Sequence, residues 1–124
     1  MKKIILSLLV LVASQILPAV ECSSEAEVII SQISSSKSCY EASQIAQECA
    51  WGSSIDVQFV GAASEICLAN YDSWSDKHKI ILSTLSEDCN KKYENEQGSL
   101  YRSMNAFCYL GVVEVLSSLN DEVI

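Results

Sequence analysis

The sequence predicts an all-α fold, a small antiparallel bundle of four to five helices stapled by three disulfides. Three observations predict it. Beyond Pro18 the chain contains no proline, the residue that most strongly breaks helices. Apolar residues recur at three- and four-residue spacing over long stretches, the period of a helix with one buried face. Six cysteines in so short a chain read as the disulfide framework of an exported protein. Neighbouring cysteines lie too far apart in sequence for the close pairs that zinc favours, and His78 is the single histidine, so no structural zinc is expected.

Residues 1–19 read as a signal peptide. Lys2 and Lys3 precede an apolar run, Ile4 to Ala13, interrupted only by Ser7. The run is shorter than the roughly 20 residues of a membrane span and has the layout of an export signal. Cleavage after Ala19 is preferred; a cut after Cys22 also places a small residue before the break. Glu21 argues against a lipid-modified Cys22. Residues 20–124 then form a single disulfide-bonded helical domain.

Five helices can be drawn. The first starts near Ser24, with Glu27 as its capping-box partner, carries Val28, Ile29, Ile30 and Ile33, and ends in "SSSKS". Its β-branched residues would also suit a strand. The second starts at Ser38, with Glu41 in the box position, and aligns Cys39, Ala42, Ala46 and Cys49 beside Ile45; Gly52 ends it. The third follows Ser54, with Asp56 in the first turn where the helix dipole favours it. Val57, Val60, Ser64, Cys67 and Tyr71 form its expected buried stripe, and Gly61, Ala62 and Ala63 leave room for a close helix.

A fourth helix starts at Ser73 or Ser75, with Ile81, Leu82, Leu85, Cys89 and Tyr93 as its apolar set. The fifth follows Gly98 and Ser99. Its expected core stripe is Leu100, Met104, Cys108, Gly111, Val115 and Leu119. Asp121 and Glu122 oppose the dipole at its end, so fraying is expected there.

The cysteine positions predict their own pairing. Two antiparallel helices place residues opposite each other when their sequence midpoint falls at the connecting turn. The midpoint of Cys89 and Cys108 falls between Gly98 and Ser99. That of Cys39 and Cys67 falls at Ser53. That of Cys22 and Cys49 falls in "SSSKS". The other nearest-neighbour pairings, such as Cys49 with Cys67, centre inside a helix, where rigid rise keeps the two Cα atoms beyond disulfide reach. Six cysteines allow 15 connectivities; the midpoints select Cys22–Cys49, Cys39–Cys67 and Cys89–Cys108. An even count with every partner found requires Cys22 to stay, which favours cleavage after Ala19.

Charge narrows the partners. Eight basic residues face 16 acidic ones, net −8, and loss of Lys2 and Lys3 with the signal makes it about −10. Such a surface repels nucleic acid and anionic lipid. It would attract a cationic partner, chiefly through association rate, or serve only to keep an exported protein soluble, the favoured reading. No stable membrane insertion is expected after signal cleavage, and the expected location is secreted or periplasmic. The chain has no N-x-S/T glycosylation site, which with the Lys-Lys signal leans toward bacterial export. No oligomeric state is specified.

Catalytic signatures are missing from the sequence. It has no G-x-S-x-G elbow, P-loop or H-E-x-x-H. "DSWSD", Asp72 to Asp76, fails as a calcium loop because the required later positions hold Trp74, Lys77 and Ser83. With all cysteines paired no thiol remains for His78 to activate. Glu94 and Glu96 stand in "YENEQG" beside a turn and read as solvated surface. No enzyme activity and no cofactor are expected.

The aromatic residues suit either a half-buried core, the favoured reading, or a binding surface. Trp51, Tyr71 and Trp74 fall near helix ends; Tyr93, Tyr101 and Tyr109 fall in the last hairpin, and Tyr and Trp are favoured as interface anchors. The candidate binding surface is Tyr93, Glu94, Glu96, Tyr101 and Arg102, with Arg102, the single arginine, expected in an ion pair. The leading expectation is a binder of a macromolecular partner, such as a cationic hydrolase it inhibits. The alternative is a carrier of a small apolar ligand in the bundle interior.

Overall fold

The computed structural model describes residues 20–121, so the signal peptide expected at residues 1–19 and the fraying expected at Glu122 lie outside the described residues. Within them the chain forms five α-helices: α1 (Ala26–Ser34), α2 (Cys39–Glu48), α3 (Asp56–Cys67), α4 (Asp76–Tyr93) and α5 (Ser99–Asp121). A single 3₁₀ turn, Tyr71–Ser73, leads into α4. No strand occurs among the described residues.

Local chemistry sets the helix starts. Ser38 caps α2 by accepting from the Glu41 N–H at 3.1 Å, and the Glu41 carboxylate accepts from the Lys37 N–H at 3.0 Å. Ser75, not Ser73, caps α4, accepting from the His78 N–H. The box expected at α1 does not form. Its N-cap is Glu25, whose side chain makes no cap bond, while Ser23 Oγ accepts from the Glu25 N–H. In α3 the helix begins two residues beyond Ser54, because Asp56 is drawn into the preceding turn.

All three disulfides join the expected partners. Cys22–Cys49, Cys39–Cys67 and Cys89–Cys108 have Cα separations of 5.4, 4.5 and 5.8 Å. They close loops of 27, 28 and 19 residues. In the chain-entropy model each stabilises by ~3–4 kcal/mol, a large gain for a domain with a small core.

The main core lies among α1, α2, α3 and α5. Ile29, Ile33, Ala42, Ala46, Phe59, Ala63 and Leu110 are fully buried there. Truncating Phe59 to Ala would cost ~3–5 kcal/mol. A second cluster joins Cys67, Trp74, Leu82, Val113 and Leu116. Trp74 Nε1 donates to Asn70 Oδ1 at 3.2 Å, so its indole is buried with its polar atom satisfied. Helix α3 packs against α1, α2 and α5, whereas α4 leans on α5 and makes no comparable contact with another helix.

The stripe expected in α3 is largely on the buried face, whereas that expected in α5 is rotated away from the core. In α3 Val57 is exposed, while Phe59, Ala62 and Ala63 join Val60, Ser64 and Cys67 on the buried face; Tyr71 lies beyond the helix, in the 3₁₀ turn. In α5 Leu100, Met104, Val115 and Leu119 are exposed. The inward face instead carries Ser103, Leu110, Val113, Leu116 and Ser117. Regular apolar spacing is a poor guide here because the inner face includes Ser103, whose hydroxyl is satisfied by Asp56. In α4 Leu82 and Cys89 are buried, but Leu85 is exposed.

The glycines also behave differently from expectation. A Cβ at Gly61 or Gly111 would meet nothing within 4 Å, so neither marks a close helix approach. Gly52 and Gly98 have φ of 69° and 115°. These left-handed values, which only glycine adopts cheaply, let the chain turn before α3 and before α5.

Candidate functional site

The five residues of the expected binding surface come together. Tyr93 and Glu94 end α4, Glu96 lies in the turn, and Tyr101 and Arg102 lie on the first turn of α5. All five line one hollow of about 460 Å³, open to solvent. The Glu96 N–H donates to the Tyr93 carbonyl at 3.0 Å, closing the turn that brings the two helix ends together. The Tyr93 and Tyr101 rings stand 6.5 Å apart, tilted by 41°, with Lys92 Nζ 5.4 Å from the Tyr93 ring centre.

The charges of this corner are unevenly used. Lys91 pairs with Glu87 at 3.2 Å. That hydrogen bond, then the charge of Glu87, raises the Lys91 pKa above its ordinary value. Glu94 and Glu96 are exposed and take part in no ion pair among the described residues. The ion pair expected for Arg102 does not form either. Among the described residues its guanidinium makes neither an ion pair nor a side-chain hydrogen bond with a carboxylate.

A second hollow, which the sequence reading missed, adjoins the first through Arg102, Asn90 and Asn105. It is a groove of about 570 Å³ running between α3 and α4, with α5 as its floor. Val57, Val60, Gly61, Ala106 and Tyr109 give it an apolar wall. Ser64 and Asn105 add polar atoms. Ser64 Oγ and Asn105 Oδ1 are buried and have no hydrogen-bond partner, although Asn105 Nδ2 donates to Asn90 Oδ1 at 2.9 Å. Burial, then the nearby Tyr71, raises the Tyr109 pKa above 10.0. The one signal in the sequence was Gly61 itself, a glycine in mid-helix with no turn to justify it.

The other singled-out residues lie elsewhere. Trp51 is half exposed and meets Phe59 edge-on at 5.9 Å. The Tyr71 ring lies 5.4 Å from that of Trp74, tilted by 57°, and packs against the second core cluster, to which Trp74 belongs. His78 is half-buried near the start of α4. Among the described residues no three His, Cys, Asp or Glu side chains gather as a metal ligand set, and every cysteine is in a disulfide. No helix among the described residues is long and apolar enough to cross a membrane. The chain matches no protein-family model, and no curated protein or solved structure gives a significant match.

Proposed function

We propose that the protein is exported after cleavage following Ala19, acts by binding rather than catalysis, and uses the α4–α5 turn to engage a cationic macromolecule, such as a hydrolase that it inhibits. One observation carries the reading. Two aromatic rings and two glutamates without ion pairs share one solvent-open hollow, in a chain of net charge −8. Rigid aromatics supply contact area, and unpaired carboxylates supply attraction and steering. Three disulfides suit an oxidising compartment outside the cytosol.

The test is association kinetics with a cationic lysozyme as probe. Binding should be fastest at low salt and slow toward physiological salt, where screening shortens electrostatic reach to about 8 Å. The double change Glu94→Gln and Glu96→Gln should slow it further. Association indifferent to both salt and these charges would sink the proposal.

A second reading, carriage of a small apolar ligand, has the α3–α4 groove in its favour. Gly61 lines that groove, whereas Ala62 and Ala63 are buried in the main core.

A further inference from the structure

We infer that the groove between α3 and α4 is a binding site for a single-chain amphiphile with a carboxylate head, its apolar chain lying along Val57, Val60 and Gly61 and its head meeting Arg102. The groove adjoins the protein-binding hollow proposed above and shares Asn90, Arg102 and Asn105 with it, but the assignment does not rest on that reading.

Three features converge. The groove has about 570 Å³, within the usual range of small-ligand sites, roughly 300–1,000 Å³. Its shape depends on a residue that the fold does not need. Gly61 sits inside α3, where glycine costs about 1 kcal/mol relative to alanine, yet a Cβ there would touch nothing within 4 Å. The missing side chain therefore serves the space in front of it rather than a neighbouring helix. At the same place Val57 is 48% exposed, leaving apolar surface next to that space.

Charge selects the head group. Among the described residues that line the groove, Arg102 is the only charged one, and it is the only arginine of an acidic chain. No carboxylate lines the groove itself, and Glu94 and Glu96, which share the adjoining hollow with Arg102, make no ion pair with it. A guanidinium presents paired N–H donors that match a carboxylate. The α3 side adds Ser64, 7% exposed, whose hydroxyl has no partner. A buried hydroxyl left unpaired is costly, and an oxygen of the head group would supply what it lacks.

Calorimetry on the oxidised, delipidated exported protein tests the assignment, with decanoate, decanol and decyltrimethylammonium as probes. Decanoate should bind about tenfold more tightly than decanol, and the cation should bind least. Arg102→Gln should reduce decanoate to the affinity of decanol. Gly61→Leu should fill the groove and abolish binding of both while the protein melts no earlier than the parent, since leucine is the better helix former. Ser64→Ala should weaken decanoate and leave the fold intact.

The changes Glu94→Gln and Glu96→Gln, which should weaken a cationic protein partner, should leave decanoate binding unchanged or stronger. This separates failure of one site from failure of the other. Absence of decanoate binding, or binding that survives Gly61→Leu, overturns the site. Equal affinity for decanoate and decanol in the parent overturns the role given to Arg102.

Discussion

Ser103 Oγ donates a 2.6 Å hydrogen bond to Asp56 Oδ2, tying α5 to the turn before α3 across 47 residues of sequence. The same carboxylate, fully buried, accepts from the N–H groups of Trp51 and Gly52 at 2.8 Å each and of Ser53 at 3.3 Å. One side chain therefore organises the α2–α3 connection and anchors the longest helix to it. Asp56→Ala leaves these donors without their acceptor. It should cost ~3–5 kcal/mol, the scale for breaking a buried charged network. Ser103→Ala removes one donor of four and should cost ~1.5–3 kcal/mol. Thermal melts should rank parent, Ser103→Ala, Asp56→Ala in falling order; equal melts for parent and Asp56→Ala would refute the anchoring role.

Removal of the Cys89–Cys108 bond should act locally. Helix α4 packs chiefly on α5, so Cys89→Ser with Cys108→Ser should loosen α4 before the main core. Hydrogen exchange should speed in residues 76–93 while α1, α2 and α3 keep their protection. A uniform loss of protection would show that the helices open as one unit.

The exported chain should begin at Val20. Its intact mass should be lower than that of the fully reduced form by two hydrogens for each of the three disulfides. A start at Ser23 would remove Cys22 and leave Cys49 with a free thiol, contrary to the pairing.

Truncation of Tyr101 to Ala should speed dissociation of the cationic partner by tenfold or more, since anchor residues commonly contribute ~2 kcal/mol or above. Stability should change little, because Tyr101 is only half-buried on the first turn of α5. An unchanged dissociation rate would remove this ring from the contact.

Tyr109 gives the alkaline limb of stability a predictable sign. Burial, then Tyr71, raises its pKa in the folded protein above 10.0, so above that pH the unfolded chain loses its proton first. The folded state then binds more protons than the unfolded one, and stability falls as pH rises. Its contribution is fully present below pH 10.0 and is lost as pH climbs through the folded value. Tyr109→Phe should flatten this limb in melts collected from neutral to alkaline pH, and absorbance titration should lose its latest tyrosine step.

The disulfide pairing was legible because it depends on symmetry about turns, and turn residues such as Gly52 and Gly98 announce themselves. The Ser38 and Ser75 caps were legible for the same reason: their chemistry is local. Burial was not. Leu100, Met104, Val115 and Leu119 form the most regular apolar line in the chain, yet they face outward. The core side of α5 holds Ser103, and nothing local to Ser103 reveals an aspartate on another helix. Asp56 read as a dipole partner at the start of a helix, when its carboxylate turns back onto Trp51, Gly52 and Ser53. The five surface residues were recognisable from sequence because one hairpin turn gathers them; the groove was not, since α3, α4 and α5 build it from residues distant in the chain.

The bonds Cys22–Cys49 and Cys39–Cys67 interleave, whereas Cys89–Cys108 stands apart. Covalently, the domain is two closed blocks joined by one unlooped thread, residues 68–88. A nick inside either block frees nothing large, but a nick in the thread divides the molecule. Lys77, exposed in the first turn of α4, offers trypsin such a place. The severed halves stay together while α3 grips α5, and they part in denaturant without any reductant.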